Sequence, residues 1–338
     1  MTDLDDDWEN FLDNDNLIDN RIEEKNNIIS DDINEDIPKS SDLYISTKTK
    51  ITYLNINNID LYDVFWKIPI MEYGQMKNGV IKKQMKFNLQ SEEQLANVNE
   101  QLNNEDYYKV DVIYSNQCNH GKTKIFKEVR KINVGLCKKD IISYRSKQKS
   151  AFYNCFVMIL RLNDNKNFKE IHVKVFNTGK LEIPGIQCEI LYQKTLELVV
   201  NILQNIITHV KLNIPEHSET VLVNSNFRCG YYIDREKMYK ILKYQYNINA
   251  TYDACSYPGI QCKYNIDNEC TISFMIFRTG SVLIVGKCEM ESLYKVYNFL
   301  KEMLIKEYSN VNICENNMDI EKKIEKKVKI RKKIIYIH

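Results

Sequence analysis

Few residues in this 338-residue chain have the type and spacing that chemistry needs. Cys118-x-His120, with Cys137 beyond, is the best metal-like cluster. It lacks the paired Cys-x-x-Cys knuckles of a closed tetrahedral zinc site, so no metal is expected. Asp13-x-Asp15 has the spacing of a metal pair but sits in an acidic run, where such spacing arises by chance. His172, His209, His217 and His338 have no acid or nucleophile at recognisable spacing. A Gly-rich phosphate loop, a His-Glu-x-x-His helix and a Gly-x-Ser-x-Gly elbow are all missing. The chain therefore reads as a non-enzyme with no cofactor and no small-molecule substrate. What remains is recognition chemistry, carried by aromatic rings at turns and by cations. Phe176 stands three residues before Gly179, and Phe277 three before Gly280.

Those phenylalanines belong to an internal repeat. Phe176-Asn-Thr-Gly179-Lys-Leu-Glu-Ile-Pro-Gly185 and Phe277-Arg-Thr-Gly280-Ser-Val-Leu-Ile-Val-Gly286 match at Phe, Thr, Gly and Gly with a constant offset of 101 residues. A strand-like segment precedes each copy: Ile171-His-Val-Lys-Val-Phe176 alternates, and Thr271-Ile-Ser-Phe-Met-Ile-Phe277 is more apolar. A helical pattern follows each. Leu191, Leu198, Val199, Ile202, Leu203 and Ile206 line one face of the first, and Leu293, Val296, Tyr297, Leu300 and Leu304 one face of the second. The unit is strand, tight turn, strand, short link, helix. Two such units predict an α+β fold with pseudo-two-fold symmetry and an antiparallel sheet carrying its long helices on one face only. An uncovered, half-apolar sheet face marks a binding surface.

Around this repeat the composition is that of an ordinary soluble protein, 43% hydrophobic and 28% charged. No run of about 18 apolar residues occurs, so no membrane span is expected. The N-terminus is acidic where a secretory signal would be basic and then apolar. An intracellular, reducing location follows, with Cys155, Cys188 and Cys288 as buried free thiols. The formal charge of +1 hides an asymmetry. Of 46 acidic and 47 basic residues, fifteen and three fall within residues 1–42, which leaves 31 against 44 beyond. A basic body with an acidic arm suits a protein that meets a polyanion. Four parts follow: a disordered acidic arm, 1–42; a first repeat, 43–213, with a long insertion at about 71–149; a second repeat, 214–312; and a basic tail, 313–338. Within the insertion, Ser91-Glu-Glu-Gln-Leu-Ala-Asn-Val-Asn-Glu reads as a polar helix.

These motifs resemble those of the TATA-box-binding protein family. Tyr252-Asp253, Tyr257-Pro258-Gly259-Ile260, Ile276-Phe277-x-x-Gly280 and Gly286 follow the family's order of Tyr-Glu, Phe-Pro-Gly-Leu, Ile-Phe-x-Ser-Gly-Lys and Thr-Gly. In the first repeat, Met158-Ile-Leu-Arg161-Leu, Val175-Phe176-x-x-Gly179-Lys180 and Gly185 fit the same pattern. The likeness covers roughly residues 43 to 308 and is strongest from about 150. It implies a saddle: a curved antiparallel sheet with long helices on its convex face. It also implies a DNA-binding transcription-initiation factor that inserts aromatic wedges from the minor groove, bends A·T-rich promoter DNA and helps recruit RNA polymerase and other initiation factors. By the resemblance, Phe176 and Phe277 are wedges, Tyr257 is the second wedge of its half, and Phe156 is the choice for the first half, next to Cys155. Arg161 and Lys263 align with arginines that reach phosphates, and Lys180 with a lysine at the strand turn. Large DNA viruses encode divergent members of this kind. The implied location is the nucleus, a cytoplasmic viral replication site, or the virion.

Some positions depart from the family pattern. Lys174 and Glu182 fall on the groove-facing side of the first half, where the family has Val, Leu and Thr, and pairing across the strands would offset a carboxylate beside phosphates. Pro184 and Val285 replace threonines. Tyr44 and Leu222 stand where the family has two base-contacting asparagines, with Asn224 and Asn226 close by. An alternative function follows, a family-like protein-interaction module that has lost sequence-specific DNA binding.

Overall fold

The computed structural model describes residues 37–116, 126–142, 153–164, 167–266 and 271–313. The acidic arm up to residue 36, the pair Cys118 and His120 and the basic tail from residue 314 lie outside the described residues.

Period-2 alternation of apolar residues builds strands wherever one face is to be covered. The first half runs β1 (Tyr44–Tyr53), α1 (Leu61–Lys67), β2 (Gly79–Leu89), α2 (Glu92–Asn103), β3 (Tyr108–Asn116), β4 (Lys127–Gly135), α3 (Lys138–Ile142), β5 (Cys155–Asp164), β6 (Asn167–Phe176), β7 (Lys180–Ile186) and α4 (Glu189–Gln204). The second half runs β8 (Glu219–Arg228), α5 (Arg235–Lys240), a π-helical turn (Ile241–Gln245), β9 (Asn249–Thr251), β10 (Ile260–Asn265), β11 (Thr271–Ile276), β12 (Ser281–Gly286), α6 (Met290–Lys306) and α7 (Tyr308–Val311). All twelve strands form one sheet in the order β3-β4-β2-β5-β6-β7-β1-β8-β12-β11-β10-β9, with every pairing antiparallel. The two halves meet where β1 pairs with β8.

Two local signals set the helix positions. Asp60 and Asp234 are N-caps, each accepting two backbone N–H bonds at the start of α1 and α5. Such a cap contributes about 1 kcal/mol. The apolar stripes do the rest. In α4, Leu191, Leu196, Val199 and Leu203 are buried against Leu181 and Ile183 of β7. In α6, Leu293, Val296, Leu300 and Leu304 are buried with Val282 and Ile284 of β12. The two cores lie on the same side of the sheet. Lys48 of β1 stands opposite both Ile186, of the first core, and Val223, of the second, and cross-strand neighbours share a face. The expected α+β sheet with its long helices on one face is therefore present.

The caps are 174 residues apart and the Phe turns 101, so 73 more residues separate α1 from the later strands in the first half. They form the longer β2 and the α2–β3–β4–α3 segment. By its pairing with β5, β2 holds the place that the three-residue β9 holds beside β10, and β4 and β3 extend the sheet beyond it. The polar stretch read as helical is α2, capped by the Ser91 hydroxyl accepting from Gln94 N–H.

A buried lysine ties this segment to the core. Lys83, 1% exposed, donates to the carbonyls of Ile68 (3.0 Å) and Trp66 (3.3 Å) at the end of α1, and pairs with Glu105 at 2.8 Å. Burial pushes its pKa down, and the Glu105 carboxylate opposes that shift.

Candidate nucleic-acid interface

The repeated Phe turns are built alike. Gly179 N–H donates to Phe176 O and Gly280 N–H to Phe277 O, each at 3.0 Å, closing a tight turn. The glycines adopt φ of +76° and +74°, a region that L side chains rarely enter. A Cβ at Gly179 would stand 2.0 Å from Ile56 O, and one at Gly280 2.2 Å from Tyr231 O. Each turn is pinned to the segment between the central strand of its half and the first helix. Leu54 N–H donates to Gly179 O and Ile59 N–H to Asn177 O; in the second half Cys229 N–H donates to Gly280 O and Ile233 N–H to Arg278 O, with all four distances 2.8–2.9 Å.

Strand alternation then decides where the rings point. Val175 and Ile276 are buried in the helix-side cores, so Phe176 and Phe277 face the other side, both half-buried. Phe277 packs beside Tyr257, ring centroids 6.1 Å apart, over Gly259, where a Cβ would come within 2.9 Å of the Phe277 ring. Lys180 Nζ stands 4.8 Å from the Phe176 ring centroid. The expected partner of Phe176 is not on this face. Phe156 is 0% exposed in the helix-side core, 6.3 Å from Phe65, because it stands opposite Val175. Cys155 is the residue opposite Phe176. Register also points to a ring that the sequence reading passed over. Phe156 pairs with Val175 as Ile260 pairs with Ile276, so three residues earlier Tyr153 stands where Tyr257 stands in the second half. Tyr153 is 50% exposed, with Lys86 Nζ 4.0 Å from its centroid.

The cations divide. Lys263 is exposed on the face away from the long helices, opposite Ser273. Lys174 pairs with Glu182 at 2.7 Å across β6 and β7, the pairing that the spacing predicts. Arg161 is only 6% exposed: its guanidinium donates to the carbonyls of Tyr73 and Gln75 and lies 4.3 Å from the Tyr73 ring.

No protein-family model matches the chain. A "TATA-box-binding protein-like" protein of Acanthamoeba polyphaga mimivirus is 27% identical over 199 residues, covering 51% of this chain and 54% of that relative. The chain is similar to a TATA-box-binding-protein-like protein of viral origin. Its match thus spans about half the relative's length. Among solved structures, Methanococcus jannaschii TBP aligns at a TM-score of 0.42 and 12% identity, over 79% of this chain and 99% of that one.

At the centre of the sheet, the face away from the long helices carries Leu222, Asn224 and Asn226 along β8, with Thr49, Thr47 and Tyr44 opposite them on β1. The Asn224 side-chain amide donates to the Thr47 hydroxyl at 3.0 Å. Pro184 and Val285 also stand on this face by alternation, the latter opposite Asn224.

Towards β2, the same face of the first half carries a cover that the second half lacks among the described residues. The loop from Met71 to Gln75 and the segment from Leu136 to Ile142 lie over Ile81 and Ile159. Polar bonds hold this cover. Lys82 pairs with Asp140 at 2.7 Å; Asp140 also accepts from Cys137 N–H (2.9 Å) and Sγ (3.0 Å); Glu170 accepts from Lys138 N–H at 3.0 Å. Burial pushes the Cys137 thiol up to about 12, so it stays protonated at neutral pH. Burial also raises the Glu170 carboxyl, against the opposing pull of Lys138 N–H and Arg161.

Proposed function

We propose that this chain is a transcription-initiation factor that grips double-stranded DNA from the minor groove with the face of its sheet away from α4 and α6, curved as a saddle, and bends it. The reading rests on one observation. Phe176 and Phe277 stand at matching places on that face, each fixed by a glycine turn docked through the same pair of backbone hydrogen bonds. Rings held this rigidly suit insertion between base steps, which costs a few kcal/mol of unstacking per step. Tyr257 in the second half and Tyr153 in the first would complete each wedge pair. Lys180 and Lys263 would meet phosphates, Arg161 would brace the loop beside them, and Lys174 would hold Glu182 neutral to the DNA. Phe156 would support Phe176 from beneath the sheet. The outer faces of α4 and α6 would receive other initiation factors and RNA polymerase.

A second reading draws on the Lys174–Glu182 pair together with Pro184 and Val285: the face binds protein and no longer reads sequence. Fluorescence anisotropy on A·T-rich and G·C-rich duplexes, over a salt titration and with a donor–acceptor pair reporting the bend, separates the two. The DNA reading expects binding that weakens steeply with salt, since each phosphate contact releases counterions. It also expects a Phe176→Ala/Phe277→Ala double variant to lose the bend and about tenfold or more in affinity, equal to about 1.4 kcal/mol. A wild-type protein that binds neither duplex leaves the protein-interaction reading.

A further inference from the structure

The two ends of the sheet are treated differently. At one end β9 has three residues, and so short an edge offers little to pair with. At the other end β3 has nine residues, and among the described residues nothing pairs with its outer edge. Natural sheets guard such an edge with charge or cover. Beside the charges of Lys109 and Asp111, this one exposes Tyr108 (43%), Val112 (50%) and Ile113 (46%). We propose that β3 is a self-association edge, on which a second copy of this chain lays its own β3 antiparallel, with the two-fold axis at Val110.

The strand's own pattern selects both the occupant and the register. A two-fold pairing places residues symmetric about the axis opposite each other. Centred on Val110, it sets Lys109 against the partner's Asp111, and Asp111 against the partner's Lys109. Tyr108 meets the partner's Val112, and Tyr107 meets the partner's Ile113, so aromatic and β-branched side chains pair on both sides of the axis. The charges then form a ladder. Asp111 stands opposite Lys131 of β4 and Lys109 opposite Asn133, so the joined sheet would read Lys131, Asp111, then the partner's Lys109 and the partner's Asn133. Lys109 is exposed and already turned to Asp111 of its own strand at 3.1 Å, so both charges lie at the edge where a copy would arrive. The pairing has a built-in limit. Ile113 is an extra residue in the register with β4, between Val112 opposite Arg130 and Tyr114 opposite Val129. A bulge of this kind bends the strand and disrupts pairing locally. The seven residues from Tyr107 to Ile113 therefore make the contact. So short a strand offers less surface than the roughly 800 Å² per partner of a stable complex, so association should be reversible, with a dissociation constant on the order of 10–100 μM.

Sedimentation velocity of the full chain over a concentration series tests this, with circular dichroism confirming the fold of each variant. Lys109→Glu sets two like-charge pairs across the axis and is expected to weaken association about tenfold or more. Asp111→Lys should do the same. An equimolar mixture of these two variants restores both opposite-charge pairs, since the carboxylate introduced in one copy faces the ammonium introduced in the other. The mixture should associate about as tightly as the wild type. A wild-type chain that stays monomeric to about 200 μM, above the range expected for such an edge, overturns the proposal. So does a Lys109→Glu variant that associates undiminished, or a mixture no tighter than either variant alone. No step of this test involves DNA, so it stands or falls apart from the function proposed above.

Discussion

At Gly280 two physical demands coincide: a φ of +74°, and a carbonyl oxygen 2.2 Å from where a Cβ would sit. Holding a non-glycine residue at positive φ costs roughly 1–3 kcal/mol, and the Tyr231 carbonyl that would have to move follows the hydrogen bond pinning the turn. Gly280→Ala is therefore expected to lower stability by more than that strain alone, read as a shift in urea midpoint. Gly185 provides the comparison. Its φ is +80°, but nothing lies within 4 Å of its Cβ position, so Gly185→Ala should show the strain and no more. Equal losses at the two sites would mean that the docking of the turn is unimportant. The glycines and phenylalanines of these turns are legible in the sequence because their offset of 101 is constant. The wedge partner is not, because that offset fails one strand earlier. The β5–β6 hairpin is three residues longer than β10–β11, as Arg161 pairs with Glu170 where Asn265 pairs with Thr271. Counting by spacing leads to Cys155 and its neighbour Phe156, whereas pairing register leads to Tyr153.

Among the elements, the long helices could be read directly. Of the stripe predicted for α6, all five residues are buried. Of that predicted for α4, Leu191, Val199 and Leu203 are buried and Leu198, Ile202 and Ile206 partly so, while Tyr192, Thr195, Leu196 and Val200 are buried as well. The cover over the first half was not readable, because its contacts join residues about 60 apart through polar atoms and no periodicity records them. That cover makes a pH-dependent prediction. Asp140 is held below its ordinary pKa: burial alone would raise it, but the Lys82 ammonium and the Cys137 bonds more than offset this. A carboxyl whose folded pKa is depressed contributes stability above its unfolded pKa, here about 3.8, and loses it as pH falls through the lower, folded value. Asp140→Asn should cost about 1–3 kcal/mol at pH 7, because Lys82, only 7% exposed, loses its partner. The difference from wild type should shrink as the pH falls below about 4. Denaturant unfolding of both proteins at pH 7 and at pH 3 measures this, and a gap that stays constant with pH would remove Asp140 from the account.

The whole sheet rests on two separate hydrophobic cores, and the question is whether they melt together. β1 belongs to the first half by pairing with β7, yet Leu43 and Ile45 at its start pack on the second core. Just before it, Ser41 is bonded to both halves of the second repeat's frame, since Tyr297 hydroxyl donates to Ser41 O at 3.0 Å and Ser41 N–H to Arg228 O at 2.8 Å. Opening the second core would thus strip β8 and the start of β1 together, leaving the rest of β1, still paired with β7, as a raw edge. A single cooperative transition is expected. Trp66 lies in the first half beside Phe65 and Phe87, 5.1 and 5.6 Å away, so in a Trp8→Phe background its fluorescence reports the first half alone. Phe274→Ala opens a cavity in the second core at a site 0% exposed, and such a deletion costs about 3–5 kcal/mol. The Trp66 midpoint in urea should then fall by as much as the far-UV circular dichroism midpoint. A Trp66 transition that stays in place while the dichroism splits into two steps would mean that the halves are independent and that the β1–β8 seam does not couple them.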